Sequence, residues 1–168
     1  EEKQLLANVY QNFSVEDYER IKKIEKDIKH DVKSVEIFFR EKLRGQSIED
    51  LASKVHLFLT SEDTTNLSYS LMLKRALFEV YLPKLIGLEE KILQLSEDYK
   101  NYKMLGRTHG QPAVPTSVGK EMVVYAFRLQ KLIQTLSETK FTGKMSGAVG
   151  SYNSFEIAYP EIDWINYT

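Results

Sequence analysis

Three histidines, at positions 30, 56 and 109, are the side chains best suited to exchange a proton near neutral pH, and two of them stand in polar clusters. The first cluster is Lys29-His30-Asp31. His30 lies two residues past Ile28, ~200° around a helix from it, and so off the apolar stripe. The triplet reads either as a helix boundary, with Asp31 capping and His30 solvated, or as a charged group in a cleft, with Lys29 and His30 donating to an anion. The second cluster, Thr60-Ser61-Glu62-Asp63, directly precedes the longest periodic stretch of the chain. Thr60 and Asp63 have capping-box spacing, with Asp in place of the usual Glu. Two hydroxyls beside the free N–H groups of a helix start also suit a phosphate or a carboxylate. His56, four residues ahead of Thr60, is expected to be a hydrogen-bonded, partly buried supporting residue.

The third cluster is Gly106-Arg107-Thr108-His109-Gly110-Gln111-Pro112-Ala113-Val114-Pro115. Glycine lets backbone approach a ligand, and the two prolines fix the exit toward the next helix. A plain interhelical turn needs neither Thr108-His109 nor Gln111, so His109 is the leading candidate for general acid–base work. A fourth stretch, Gly143 to Asn153, is Gly-rich but lacks the spacing of a P-loop or a dinucleotide fingerprint. It reads as a flexible connection.

These clusters need elements to hold them apart and aim them. Six of the eight glycines and three of the four prolines fall in 106–160, and the rest is nearly free of breakers. No run alternates apolar and polar residues long enough for a half-buried strand, so the expected fold is all-α. Ser14 opens a helix over 14–28 with Ile21, Ile24 and Ile28 on one face. Asp31 opens a second, ending before Gly45, with Val32, Val35 and Phe39 inward. From Asp63 to Tyr102, Phe78, Tyr81, Leu85, Leu88, Ile92, Leu95 and Tyr99 keep a 3-4-3-4-3-4 seam, with a kink expected at Pro83. A fourth helix, 116–139, aligns Val118, Met122, Tyr125, Leu129, Leu132 and Leu136. A helix of ~60 Å is more than a compact body of 168 residues covers, which predicts a bundle completed by further chain.

Composition narrows the class. Lys and Arg number 23 against 24 Asp and Glu, a net charge of −1, so there is no basic footprint for nucleic acid. There is no cysteine, which removes disulfides and thiolate metal sites. No apolar run approaches the ~20 residues of a membrane span, and no leader peptide is evident at a chain that opens on Glu1. The absence of cysteine is neutral about compartment, and the expectation is an excised segment without a membrane partner.

In order and context these junctions resemble adenylosuccinate lyases of the aspartase/fumarase superfamily. The likeness rests on Lys29-His30-Asp31-Val32-Lys33, Thr60-Ser61-Glu62-Asp63, Arg107-Thr108-His109-Gly110-Gln111-Pro112-Ala113, Gly119-Lys120-Glu121-Met122, Gly147-Ala148-Val149-Gly150-Ser151-Tyr152-Asn153 and Tyr159-Pro160-Glu161-Ile162-Asp163-Trp164. It implies β-elimination of fumarate from adenylosuccinate, leaving AMP, and from the succinyl-carboxamide ribotide of purine synthesis, with no cofactor or metal. It casts His109 as the acid that protonates the departing nitrogen and Thr60 and Ser61 as contacts to the succinyl end. Lys29, His30, Asp31, Thr108 and Gln111 become substrate-binding residues. It also implies a homotetramer with active sites shared between subunits, 1–59 closing a helical first domain and 60–168 beginning the central bundle.

Two family features are missing from these residues: the Ser-Ser-x-Met-Pro-x-Lys-x-Asn loop that carries the proton-abstracting serine, and an N-terminal Arg-Tyr pair. This stretch would therefore supply the acid and part of the binding shell, with no turnover of its own. An argininosuccinate lyase-like or cycloisomerase-like sibling is one alternative, and a helical interaction module without chemistry is another.

Overall fold

A computed structural model describes residues 2–168, which divide into two compact units. One comprises the residues up to Tyr69 together with Gly143–Thr168, the other Ser70–Thr142. The fold is all-α apart from one small hairpin.

The first unit begins with α1 (Glu2–Gln11), α2 (Val15–Ile28) and α3 (Asp31–Leu43), followed by a 3-10 turn (Glu49–Lys54). Ser14 caps α2 through a reciprocal box with Asp17, satisfying two N–H groups that the helix start leaves unpaired. Ile21 and Ile24 pack on Phe38, while Leu43, Ile48 and Ala52 form a second apolar cluster with Leu5, Leu6 and Phe39. Two inward assignments fail. Val35 is 40% exposed and Ile28 lies at the surface, whereas Phe39 packs inward as expected and Phe38, 3% exposed, joins the core beside it. Glu36 is buried as well. Burial would raise its pKa, but ion pairs to Lys33 and Arg40 and the nearby charge of His56 outweigh that and hold it low.

The helical backbone continues as α4 (Ser61–Arg75), a π turn (Ala76–Tyr81) and α5 (Leu82–Asp98). The disturbance expected at Pro83 takes the form of that π turn just ahead of it, with the Leu82 N–H reaching back five residues to the Leu77 carbonyl. In the second unit α5 packs along α6 (Val118–Ser137). The seam on α6 differs from the predicted one. Gly119, Ala126 and Ile133 are buried at seven-residue spacing with Met122, Leu129 and Leu136 beside them, and Tyr125 and Leu132 face outward. Tyr81, Leu88 and Tyr99 of the α5 seam are exposed too, so each helix keeps an apolar face that this chain does not cover.

Gly119 sets the closeness of that packing. A β-carbon there would lie 2.2 Å from the Ser96 carbonyl oxygen and 2.6 Å from the Lys100 Cα, both backbone atoms that cannot swing away. The Ser96 hydroxyl meanwhile donates to the Gly119 carbonyl at 2.7 Å. Gly119→Ala is expected to destabilise the full-length protein by ~1–3 kcal/mol through overpacking, read as a lower urea midpoint. A midpoint equal to the wild type would mean the two helices have room to separate.

Between α5 and α6 the chain forms an antiparallel ribbon of β1 (Lys103–Thr108) and β2 (Gln111–Ser117), where the sequence suggested an irregular loop. Pro112 and Pro115, expected to fix the exit toward the next helix, both lie within β2. In a ribbon of two strands each has a free edge, so a missing N–H costs no ladder bond when it faces out. Thr108 pairs with Gln111 across a two-residue turn, and both turn residues, His109 at φ 54° and Gly110 at φ 76°, are left-handed, the type I′ arrangement that suits strand twist. Opposite Gly106 the register slips by one residue into a bulge. A side chain at Gly106 would meet the Val114 carbonyl oxygen at 2.6 Å.

Candidate active site

Non-glycine residues with positive φ mark where the fold bears backbone strain. Among the described residues there are four: Lys29, Phe58, His109 and Tyr152. Lys29 and His109 lie in two of the polar clusters singled out by sequence, Phe58 lies two residues from the third, and Tyr152 lies in the Gly-rich stretch. Such strain costs of order 1–3 kcal/mol per residue and collects where geometry serves a site.

Lys29, left-handed at φ 59°, ends α2 with its N–H on the Glu25 carbonyl and turns the chain sharply into α3. The cap of α3 is His30, correcting the expectation of Asp31. His30 Nδ1 accepts from the Lys33 N–H at 3.2 Å, while Asp31 is the first helical residue and accepts from the Val32 N–H. With Nδ1 as acceptor, the ring proton sits on Nε2, which lies 3.5 Å from Ser61 Oγ. That contact is long for a hydrogen bond, as polar pairs at unliganded sites often are. Two clusters thirty-one residues apart thus meet at one corner. His56 is half-buried and near Glu36, but makes no hydrogen bond among the described residues, so the expected bond is absent.

The start of α4 holds the residue that sequence reasoning undervalued. Asp63 supplies half of the anticipated capping box, accepting from the Thr60 N–H at 2.9 Å. It is also 1% exposed, and its oxygens accept from the N–H groups of Ser146 and Gly147, each at 3.1 Å, and pair with Lys144 at 2.8 Å. Burial works to raise its pKa, but Lys144 and the backbone donors at Thr60 and Ser146 prevail and keep it below the ordinary aspartate value. The signal was present in the sequence as Asp63 and Lys144, separated by eighty-one residues with nothing local to join them.

The Gly-rich stretch is accordingly fastened down, in place of the flexible connection expected. Asn66 adds two bonds to the backbone of Lys144, at 2.8 and 3.0 Å. Phe58 stacks near Phe155 and Tyr159, bracketing the same corner from the other side. Between these walls lies a cavity of about 250 Å³ bordered by Thr60, Ser146, Gly147, Ala148, Asn153 and Phe155, among others.

In the second unit, the hairpin presents His109 exposed at its tip, with Thr108 and Gln111 flanking it as the last paired residues. Thr108 also borders a cavity of about 440 Å³ with Arg107, Lys120 and Glu121. An imidazole on a two-residue turn can project toward a ligand with little of its own chain in the way. Among the described residues no three His, Asp or Glu side chains gather as a metal-binding group, and no helix is long and apolar enough to cross a membrane.

The chain is 43% identical over 164 residues to the adenylosuccinate lyase of Haemophilus influenzae, an alignment covering 97% of this chain and 36% of that protein. The adenylosuccinate lyase of Dictyostelium discoideum is 38% identical over 167 residues, covering 97% of this chain and 36% of its own length. Among solved structures, a fumarate lyase from Mesorhizobium aligns with a TM-score of 0.75 at 18% identity, over 90% of this chain and 35% of the other. A β-carboxy-cis,cis-muconate cycloisomerase from Acinetobacter calcoaceticus aligns at 0.73 and 19%, over 92% of this chain and 35% of that one, a likeness of fold alone. The chain thus spans a little over a third of the length of the curated relatives it matches. The sequence profile of the lyase family matches residues 2–166, and with almost every residue inside that match the chain belongs to the lyase family.

Proposed function

We propose that the full-length protein is a carbon–nitrogen lyase that releases fumarate from adenylosuccinate, leaving AMP, and from succinylaminoimidazole carboxamide ribotide, in purine nucleotide synthesis. The observation that carries the reading is the meeting of His30 and Ser61 at the start of α4, 3.5 Å apart, beside a buried Asp63 already neutralised by Lys144. With that charge satisfied, the hydroxyls of Thr60 and Ser61 at the start of α4 are left to hold a carboxylate.

In the reaction a base takes a proton from carbon, a carbon–carbon double bond forms, and the carbon–nitrogen bond breaks with its electron pair going to nitrogen. His109 then protonates that nitrogen. Thr60 and Ser61 hold the succinyl carboxylate whose charge grows as the proton leaves, and Lys29, His30, Asp31, Thr108 and Gln111 bind the rest of the substrate. The base comes from residues outside this stretch. In the assembled enzyme, a cytoplasmic homotetramer whose sites draw on several subunits, residues 1–59 complete a first helical domain and 60–168 open the central bundle. The apolar faces left on α5 and α6 support that assembly.

The test is direct. Full-length protein incubated with adenylosuccinate is expected to yield AMP and fumarate in equal amounts, and to leave argininosuccinate and carboxymuconate uncut. Turnover of either of those instead would transfer the reading to a sibling lyase or cycloisomerase.

A further inference from the structure

Ser146 is 7% exposed, yet its hydroxyl has no hydrogen-bond partner among the described residues, where buried polar groups ordinarily find one. Its backbone is fully occupied: the N–H donates to Asp63 and the carbonyl accepts from Tyr152. The oxygen is not sealed off, because no orphaned side-chain atom is fully buried among the described residues. Ser146 is one of the residues that border the 250 Å³ cavity. Thr60 borders the same cavity, and its hydroxyl likewise has no partner among the described residues.

From this we infer that Ser146 is a further ligand-binding residue, donating to a carboxylate held between its hydroxyl and Thr60, and that Asp63 is the positioning residue that keeps the two opposed. The cavity is smaller than the ~300 Å³ lower bound of sites for whole drug-sized ligands, so it takes one carboxylate-bearing arm of a substrate and not a nucleotide. Asp63 is suited to the positioning role because one carboxylate binds both walls, the Thr60 N–H on one side and the N–H groups of Ser146 and Gly147 on the other. Lys144 cancels its charge, so the carboxylate does not repel an incoming anion.

The inference rests on the proposed lyase reading and is tested so that the two fail separately. The full-length wild type is first assayed with adenylosuccinate; absence of cleavage would overturn the lyase reading and this inference with it. Given cleavage, Ser146→Ala is expected to raise KM ~10–100-fold, the size of one hydrogen bond to a charged group, with kcat little changed. Its thermal midpoint should stay at the wild-type value, because the hydroxyl holds nothing in the protein. An unchanged KM, whether or not the midpoint falls, overturns the inference and leaves the lyase reading standing. Ser146→Gly, which removes the same hydroxyl without adding volume, serves if the alanine variant does not fold, and carries the same expected rise in KM.

Discussion

Full-length protein carrying His109→Asn is expected to lose ~10²–10⁴-fold in kcat on adenylosuccinate while KM stays near that of the wild type, the usual contribution of a general acid. Asparagine is the informative substitution because of where the histidine stands. At φ 54° His109 occupies the first turn position of a type I′ hairpin, and Asn-Gly is the pair that this turn accepts most readily. The variant removes the imidazole and preserves the ribbon. His109→Ala removes the same imidazole but places a residue without a local hydrogen-bonding side chain in left-handed backbone. If catalysis needs the imidazole, both variants fall to similar kcat. If His109 serves only to make the turn, the alanine variant alone suffers. A near-normal kcat in His109→Asn would take the imidazole out of the mechanism.

The second large effect concerns stability. Asp63→Ala is expected to destabilise the full-length protein by about 3–5 kcal/mol at pH 7, the loss found when one partner of a buried ion pair is removed. Three backbone N–H groups lose their acceptor together with Lys144. Lys144→Ala should cost less, since its side chain is 35% exposed, whereas that of Asp63 is buried and keeps its three backbone donors. The pH dependence has a definite sign. The Asp63 carboxyl is held below its ordinary value, so its contribution is fully present above about pH 4 and is lost as pH falls through the lower folded-state value. Urea unfolding of wild type and Asp63→Ala should therefore differ most at neutral pH, and the difference should shrink as pH falls below about 4. A difference under ~1 kcal/mol at pH 7 would mean that the corner holds together without its carboxylate.

Much of this arrangement could be read along the chain because its cause was local. Ser14 with Asp17 made a capping box in the sequence and makes one in the fold, since both partners lie within one turn. Ile21 and Ile24 reach the core because a 3.6-residue period fixes their face before any neighbour is chosen. The junctions were recognisable through residue types that packing does not demand.

What sequence missed depends on partners distant in the chain. On α6 both the Tyr125–Leu132 and the Ala126–Ile133 stripes satisfy a heptad, and the small Gly119 decides between them by letting Ser96 approach. The hairpin was hidden because its strands are mostly exposed and so carry no alternation of apolar and polar residues. The placement of Ser146 against Thr60 depends on a carboxylate eighty-three residues away, which no local pattern encodes. The sequence alone determined the helical class, the helix starts and the chemical character of each junction, because these follow from periodicity, capping and residue type within a few turns. Only tertiary structure decided which stripe was buried and which residues came to border one cavity, because each is settled by desolvation and hydrogen bonding between segments that meet only once the chain has folded.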